Sequence, residues 1–282
     1  MAGAYELAWE SAGKSIRSFS VKEYMPLAPL LVVVLLYLIL GLNLGTALGM
    51  ATAGIVSRAI AGPSSIEYPT FLQLLPLTFS YVETIVFVLG GAIALPLLVA
   101  IVLERHAKGP GPWRGRVRAA IVPTLLALGA TYALTYFWQK LAGPYVLPFV
   151  RGLAGGGVPG ALASWMLGAL VSLAITTLVV YVPVVAVADG GAAAKILRRG
   201  VDLGRRFFGP TFLFVFLLSL PALLFQFTVQ FLGPLLTTRT RPENIAYALI
   251  GYAVLSSLAT YFVWNAATRV HRGLAASNGG IV

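Results

Sequence analysis

The chain has 282 residues, of which 59% are hydrophobic and only 10% charged, with a net charge of +11 and no cysteine. A soluble protein of that length has too little interior for so much apolar surface, so the bilayer must serve as its solvent. The apolar runs are continuous rather than alternating, which excludes an outer-membrane barrel, and the missing thiols exclude disulfides and cysteine metal sites.

Residues 3–20 place Tyr5, Trp9, Ala12, Ile16 and Phe19 at steps of four and three, with Glu6, Glu10, Lys14 and Ser18 between them. This pattern predicts an amphipathic helix lying in the membrane interface. Two glutamates in the first ten residues argue against a cleaved signal peptide.

A first span is expected over about 25–48. Its apolar stretch continues to Val56, 32 residues from Met25, or about 48 Å as one helix against a hydrocarbon core of about 30 Å. The helix must tilt strongly or break near Gly41–Gly45. Gly41, Gly45, Gly49 and Ala53 recur at intervals of four, a small-residue ridge of the kind that lets another helix approach closely.

Further spans are expected over about 77–103, 119–138, 159–188, 211–236 and 245–267. Between the second and third lies a basic loop with Arg105, Lys108, Arg114, Arg116 and Arg118 around a Gly-Pro-Gly-Pro turn. Lys140 to Val158 is a Gly/Pro-rich, apolar connection expected on the outer surface. The fourth span carries a second small-residue ridge, Gly160, Ser164, Gly168 and Ser172. The fifth is rich in Phe, which suits lipid contact or a partner.

Between spans four and five, Val182 to Pro210 holds a short basic segment. As a helix it groups Leu197, Val201 and Phe208 near one face, with Arg198, Arg199, Asp202, Arg205 and Arg206 largely elsewhere. That is the pattern of a cytoplasmic amphipathic helix on a membrane surface. Lys195, Arg198, Arg199, Arg205 and Arg206, together with Arg114, Arg116 and Arg118, are the candidates for contact with headgroups or a partner.

Orientation follows from the basic residues. Fifteen of the 20 Lys and Arg residues fall in the N-terminus, the second and fourth loops and the tail. Both termini should therefore face the cytoplasm. The same asymmetry accounts for the net charge, so no nucleic-acid partner is expected. Arg outnumbers Lys 15 to 5, which points to a GC-rich bacterial or archaeal genome, and the location expected is the cytoplasmic (inner) membrane.

Polar chemistry is sparse. His106 and His271 have no partner at metal-ligand spacing and read as snorkelling residues at span ends. Glu83 is the single acidic residue expected inside a span. It suits either an interhelical hydrogen bond or a proton- or cation-coupling site. No catalytic constellation, metal or cofactor is expected, and a bound lipid is compatible with the pattern. The partners expected are membrane lipids and other membrane-protein subunits.

Pro183-Val-Val-Ala-Val-Ala-Asp189, Ala192-Ala-Ala-Lys-Ile-Leu-Arg-Arg199 and Arg205-Arg-Phe-Phe208 together resemble a pattern in six-helix bacterial membrane proteins. These include the membrane domain attached to some glycerophosphodiester phosphodiesterases. The resemblance implies six spans with a basic amphipathic helix between the fourth and fifth; the catalytic domain has no counterpart here, so no enzymatic role is implied. The layout is also similar to the membrane subunit of an ABC exporter or permease, which would dock an ATPase on Arg114–Arg118 and Lys195–Phe207. Gly191 stands where the importer signature has Glu.

The expectation is thus an all-α, single-domain (1–282), six-span membrane protein with an N-terminal interfacial helix. Its expected role is that of a non-catalytic accessory or scaffold subunit, with a transport subunit as the alternative and a membrane-embedded enzyme third.

Overall fold

A computed structural model describes residues 2–67, 70–107, 111–155, 157–238 and 243–277, which are mostly helical with no strand among them. Five helices are long and apolar enough to cross a membrane, and a sharply bent pair makes up to six. The protein is a membrane protein of the all-α class.

The N-terminal helix α1 (Ala2–Arg17) is followed by a single turn, α2 (Val21–Tyr24), and then by α3 (Ala28–Leu42). Pro29 in the first turn of α3 is tolerated because helix-start N–H groups have no partner within the helix. The tilt-or-break alternative resolves as a break. The chain turns by 120° between α3 and α4 (Ala47–Ala61). Asn43 leaves the helical region, with its amide donating back to the Ile39 carbonyl at 2.9 Å. Thr46 caps α4, its hydroxyl oxygen accepting from the Gly49 N–H at 3.1 Å. The small residues therefore do not form one straight ridge.

Next come α5 (Thr70–Ala107), α6 (Trp113–Phe137, continuing through a π turn to Ala142) and α7 (Gly143–Leu153). The expected apolar connection is thus partly helical. Leu141, Tyr145, Phe149 and Leu153, four residues apart, all project outward. Helix α8 (Gly157–Val179) bends at Val180–Tyr181 into α9 (Val182–Ala188), where Pro183 falls in the first turn. Then follow α10 (Ala193–Arg206), α11 (Phe208–Thr238) and α12 (Asn244–Ser277). At 38 residues α5 is about 57 Å long. It and α12 outrun the expected spans at both ends, because Arg, His and Asn continue a helix as readily as apolar residues once past the lipid.

The chain divides into two compact units rather than one. The first comprises Met1–Pro26, Gly91–Leu218 and Tyr261–Val282. Its centre is α9, buried from Val182 to Val187 and packed against α6 and α10. The second comprises Leu27–Gly90 and Ser219–Thr260. Its core joins Tyr37 and Leu38 of α3, Ala53 of α4, Phe71, Leu75 and Phe79 of α5, and Leu249 of α12.

Helix α10 does not rest its Leu197–Val201 face on the bundle. Ile196, Gly200 and Gly204 are the buried positions, and Val201 is exposed. A Cβ at Gly200 would lie 2.7 Å from the Val182 Cα, and one at Gly204 would lie 2.5 Å from the Leu178 carbonyl oxygen. Helix α10 thus meets α8 and α9 backbone to backbone.

Candidate functional site

In the first unit the polar groups gather around Glu23, in the short turn α2. Its side chain is only 1% exposed. One carboxylate oxygen accepts from the Arg105 guanidinium of α5 at 2.6 Å. The other accepts from the Tyr261 hydroxyl at 2.7 Å and from the Asn265 amide at 2.8 Å, both on α12. Asn265 passes the chain on, its oxygen accepting from Arg269 Nε at 2.7 Å, while Arg269 Nη2 donates to the Ser18 hydroxyl at 2.6 Å. Phe19 sets the edge of its ring against Tyr261, centroids 5.3 Å apart. A buried carboxylate is costly unless paired and hydrogen-bonded, and Glu23 is both. Both its oxygens are occupied by structural donors, so this cluster is a lock that ties the N-terminal segment to α5 and α12.

A second cluster surrounds Asp189, at the C-terminal end of α9. Arg199 of α10 lies 3.5 Å from one carboxylate oxygen, and His271 Nε2 of α12 lies 3.9 Å from the other. The Arg116 guanidinium donates to the last carbonyls of α9, those of Val187 and Ala188. Cations at a helix C-terminus satisfy orphan carbonyls and complement the helix dipole. Gly190 and Gly191, at φ +70° and +118°, then turn the chain sharply into α10.

The second unit holds Glu83, half-buried on α5 and facing a cavity of about 40 Å³ between α3, α5 and α12. Leu30, Val34 and Val86 form apolar walls, and Ser256, Ser257 and Thr260 line the α12 side. The Ser256 hydroxyl donates to Glu83 Oε1 at 3.4 Å, a long contact.

No family model, curated protein or solved structure matches this chain. What its sites can do follows from their own geometry.

Of the expected ridge residues, Gly41 faces α5, where a Cβ would lie 3.3 Å from Leu75 and Phe71. Gly45 lies in the break with nothing within 4 Å, and Gly49 closes against the Asn43 carbonyl of its own segment. Ala53 is fully buried. In the other strip, Gly160 abuts Arg151 of α7, and the Ser164 hydroxyl donates to the Leu147 carbonyl at 3.1 Å. Gly168 has nothing within 4 Å, and Ser172 bonds back to the Gly168 carbonyl at 3.1 Å. The upper half of that strip therefore serves α7, and the lower half is open.

The basic residues divide similarly. Arg114 pairs with Glu104 at 2.9 Å, and Arg116 and Arg199 serve the Asp189 cluster. Arg118, Lys195, Arg198, Arg205 and Arg206 are exposed. Lys108 and the Gly109-Pro110 part of the expected turn lie outside the described residues. His271 is a correction: it is buried beside Asp189 instead of snorkelling.

Sequence reasoning missed Glu23, which stands just before the first apolar run and reads as part of a linker. A signal was nonetheless present. Tyr261, Asn265 and Arg269 recur at steps of four, a polar stripe along one face of an otherwise apolar helix.

Proposed function

We propose that the protein is a non-catalytic, six-span subunit of a cytoplasmic membrane, with both termini inside, acting as accessory or scaffold within a larger membrane assembly. The observation that carries this reading is the way α1 is displayed. Its small residues Ala8, Ser11, Ala12 and Ser15 are buried against the first unit. Tyr5, Trp9 and Ile16 point outward together, with Trp9 66% exposed, within about 40° of one another around the helix axis. Glu6, Glu10, Lys14 and Arg17 occupy a separate exposed sector. An amphipathic helix free on a bilayer would use its aromatic face as its only anchor. Here the anchor is the Glu23 lock, which leaves the aromatic sector available to lipid at the interface and to a neighbouring subunit.

The test is a photo-cross-linking residue in place of Trp9, followed by extraction in mild detergent and native sizing. The expected result is a defined particle larger than one chain, with a cross-link to a second membrane polypeptide. A monomer cross-linked to lipid alone would reject the assembly role.

A second reading, a transport subunit, is favoured by the Glu83 cavity in a unit that also contains the broken pair α3–α4. Interrupted helices beside an intramembrane ionisable group recur in transporters. It predicts loss of flux in Glu83→Gln with the fold retained.

A further inference from the structure

Glu83 differs from the other acidic groups that the bundle encloses. Glu23 and Asp189 each have a cationic partner within 4 Å, whereas Glu83 is the one titratable group among the residues that line its cavity. Its polar neighbours there are the hydroxyls of Ser256, Ser257 and Thr260, on the facing helix. On the same helix as Glu83, Ile85 and Leu89 are exposed, as side chains facing lipid are. An uncompensated carboxylate in such surroundings must take up a positive charge.

The cavity decides what kind. A carboxyl group serving only as a neutral helix–helix contact would be closed upon by its partner. Here the Ser256 contact is 3.4 Å and open space of about 40 Å³ lies beside it. A water needs about 10–15 Å³ by this measure, so there is room for a small ion and one or two waters. The donors are oxygens, the ligand type of hard cations. One carboxylate balances a single positive charge; a divalent ion would remain charged against Leu30, Val34 and Val86.

From this geometry we infer that the Glu83 cavity is a monovalent-cation site, which takes Na⁺ in exchange for a proton. The carboxyl O–H bond breaks, its proton leaves to solvent, and Na⁺ is held by the carboxylate with hydroxyl and water oxygens completing its shell. The site stands on the second unit alone and requires neither functional reading above.

The experiment compares purified protein in detergent with NaCl, KCl or choline chloride, at one near-neutral pH and one ionic strength. Na⁺ should raise the unfolding midpoint of the native chain by about 3 °C or more over choline, and by more than K⁺ does. That increment should disappear in Glu83→Gln and shrink in Ser256→Ala. Infrared difference spectra on exchanging choline for Na⁺ should show loss of a protonated-carboxyl band that Glu83→Gln lacks. Equal midpoints in all three salts, or a Glu83 carboxyl band indifferent to Na⁺, would overturn the inference. Should Glu83→Gln fail to fold, the native spectra and Ser256→Ala decide it.

Discussion

Two oxygens and three donors define the environment of Glu23. Arg105 holds one oxygen, Tyr261 and Asn265 share the other, and the side chain is sealed from water. Removing the carboxylate strands an amide and a phenol in a dry site and frees Arg105, whereas a solvent-exposed pair would lose little. Glu23→Ala should therefore destabilise the fold by about 3 kcal/mol, read as a lower unfolding midpoint in detergent. Glu10→Ala, which removes an exposed pair with Lys14, should cost no more than about 0.5 kcal/mol. Equal effects would mean that water reaches Glu23. At this scale the sequence was only half legible. The polar stripe Tyr261–Asn265–Arg269 is visible by spacing, but its acidic partner lies 238 residues away from Tyr261, and no local pattern joins them.

Among the helices, α10 makes a close backbone approach through Gly200 and Gly204. Both are buried against backbone that cannot move as a flexible side chain can. Gly204→Leu should cost about 3 kcal/mol or prevent folding, the usual price of overpacking at a rigid contact. Gly45→Leu, beside open space, should leave the folded yield almost unchanged. The reverse order, measured by size-exclusion yield, would restore the first-span ridge as the critical contact. Intervals of four among small residues are thus legible as candidates for close packing, but periodicity does not choose among them. In the first span the strip is broken by Asn43 and Thr46, whose side chains satisfy backbone groups that a continuous helix would have paired. In α10 the glycines escaped notice because the basic residues suggested a surface helix, and the wheel was read for large apolar side chains.

For the whole molecule, hydropathy was enough to specify an all-α membrane protein, because lipid leaves backbone polar groups no partner outside a helix. Division into two units was not legible, since α5, α11 and α12 each belong partly to both and their composition does not change at the division. The proposed orientation can be checked with single cysteines at exposed, conformationally ordinary positions. Lys195→Cys should resist an impermeant thiol reagent in intact cells, and Ser64→Cys, in the loop after α4, should react. Labelling at Lys195 from outside would invert the topology.

The bond between Arg269 and Ser18 joins positions 251 residues apart, and it constrains something that neither residue encodes alone. Two segments that flank membrane spans and share a hydrogen bond lie on the same side of a bilayer. A polypeptide that leaves a side and comes back to it has crossed an even number of times. If each of the five long apolar helices crosses, their number is odd, so parity asks for one crossing more, and the bent pair α3–α4 is the segment available to supply it. A hairpin dipping in and out through α3 and α4 would contribute no net crossing and would part Ser18 from Arg269. Under the proposed six-span arrangement, the lock on α1 is therefore also a topological closure.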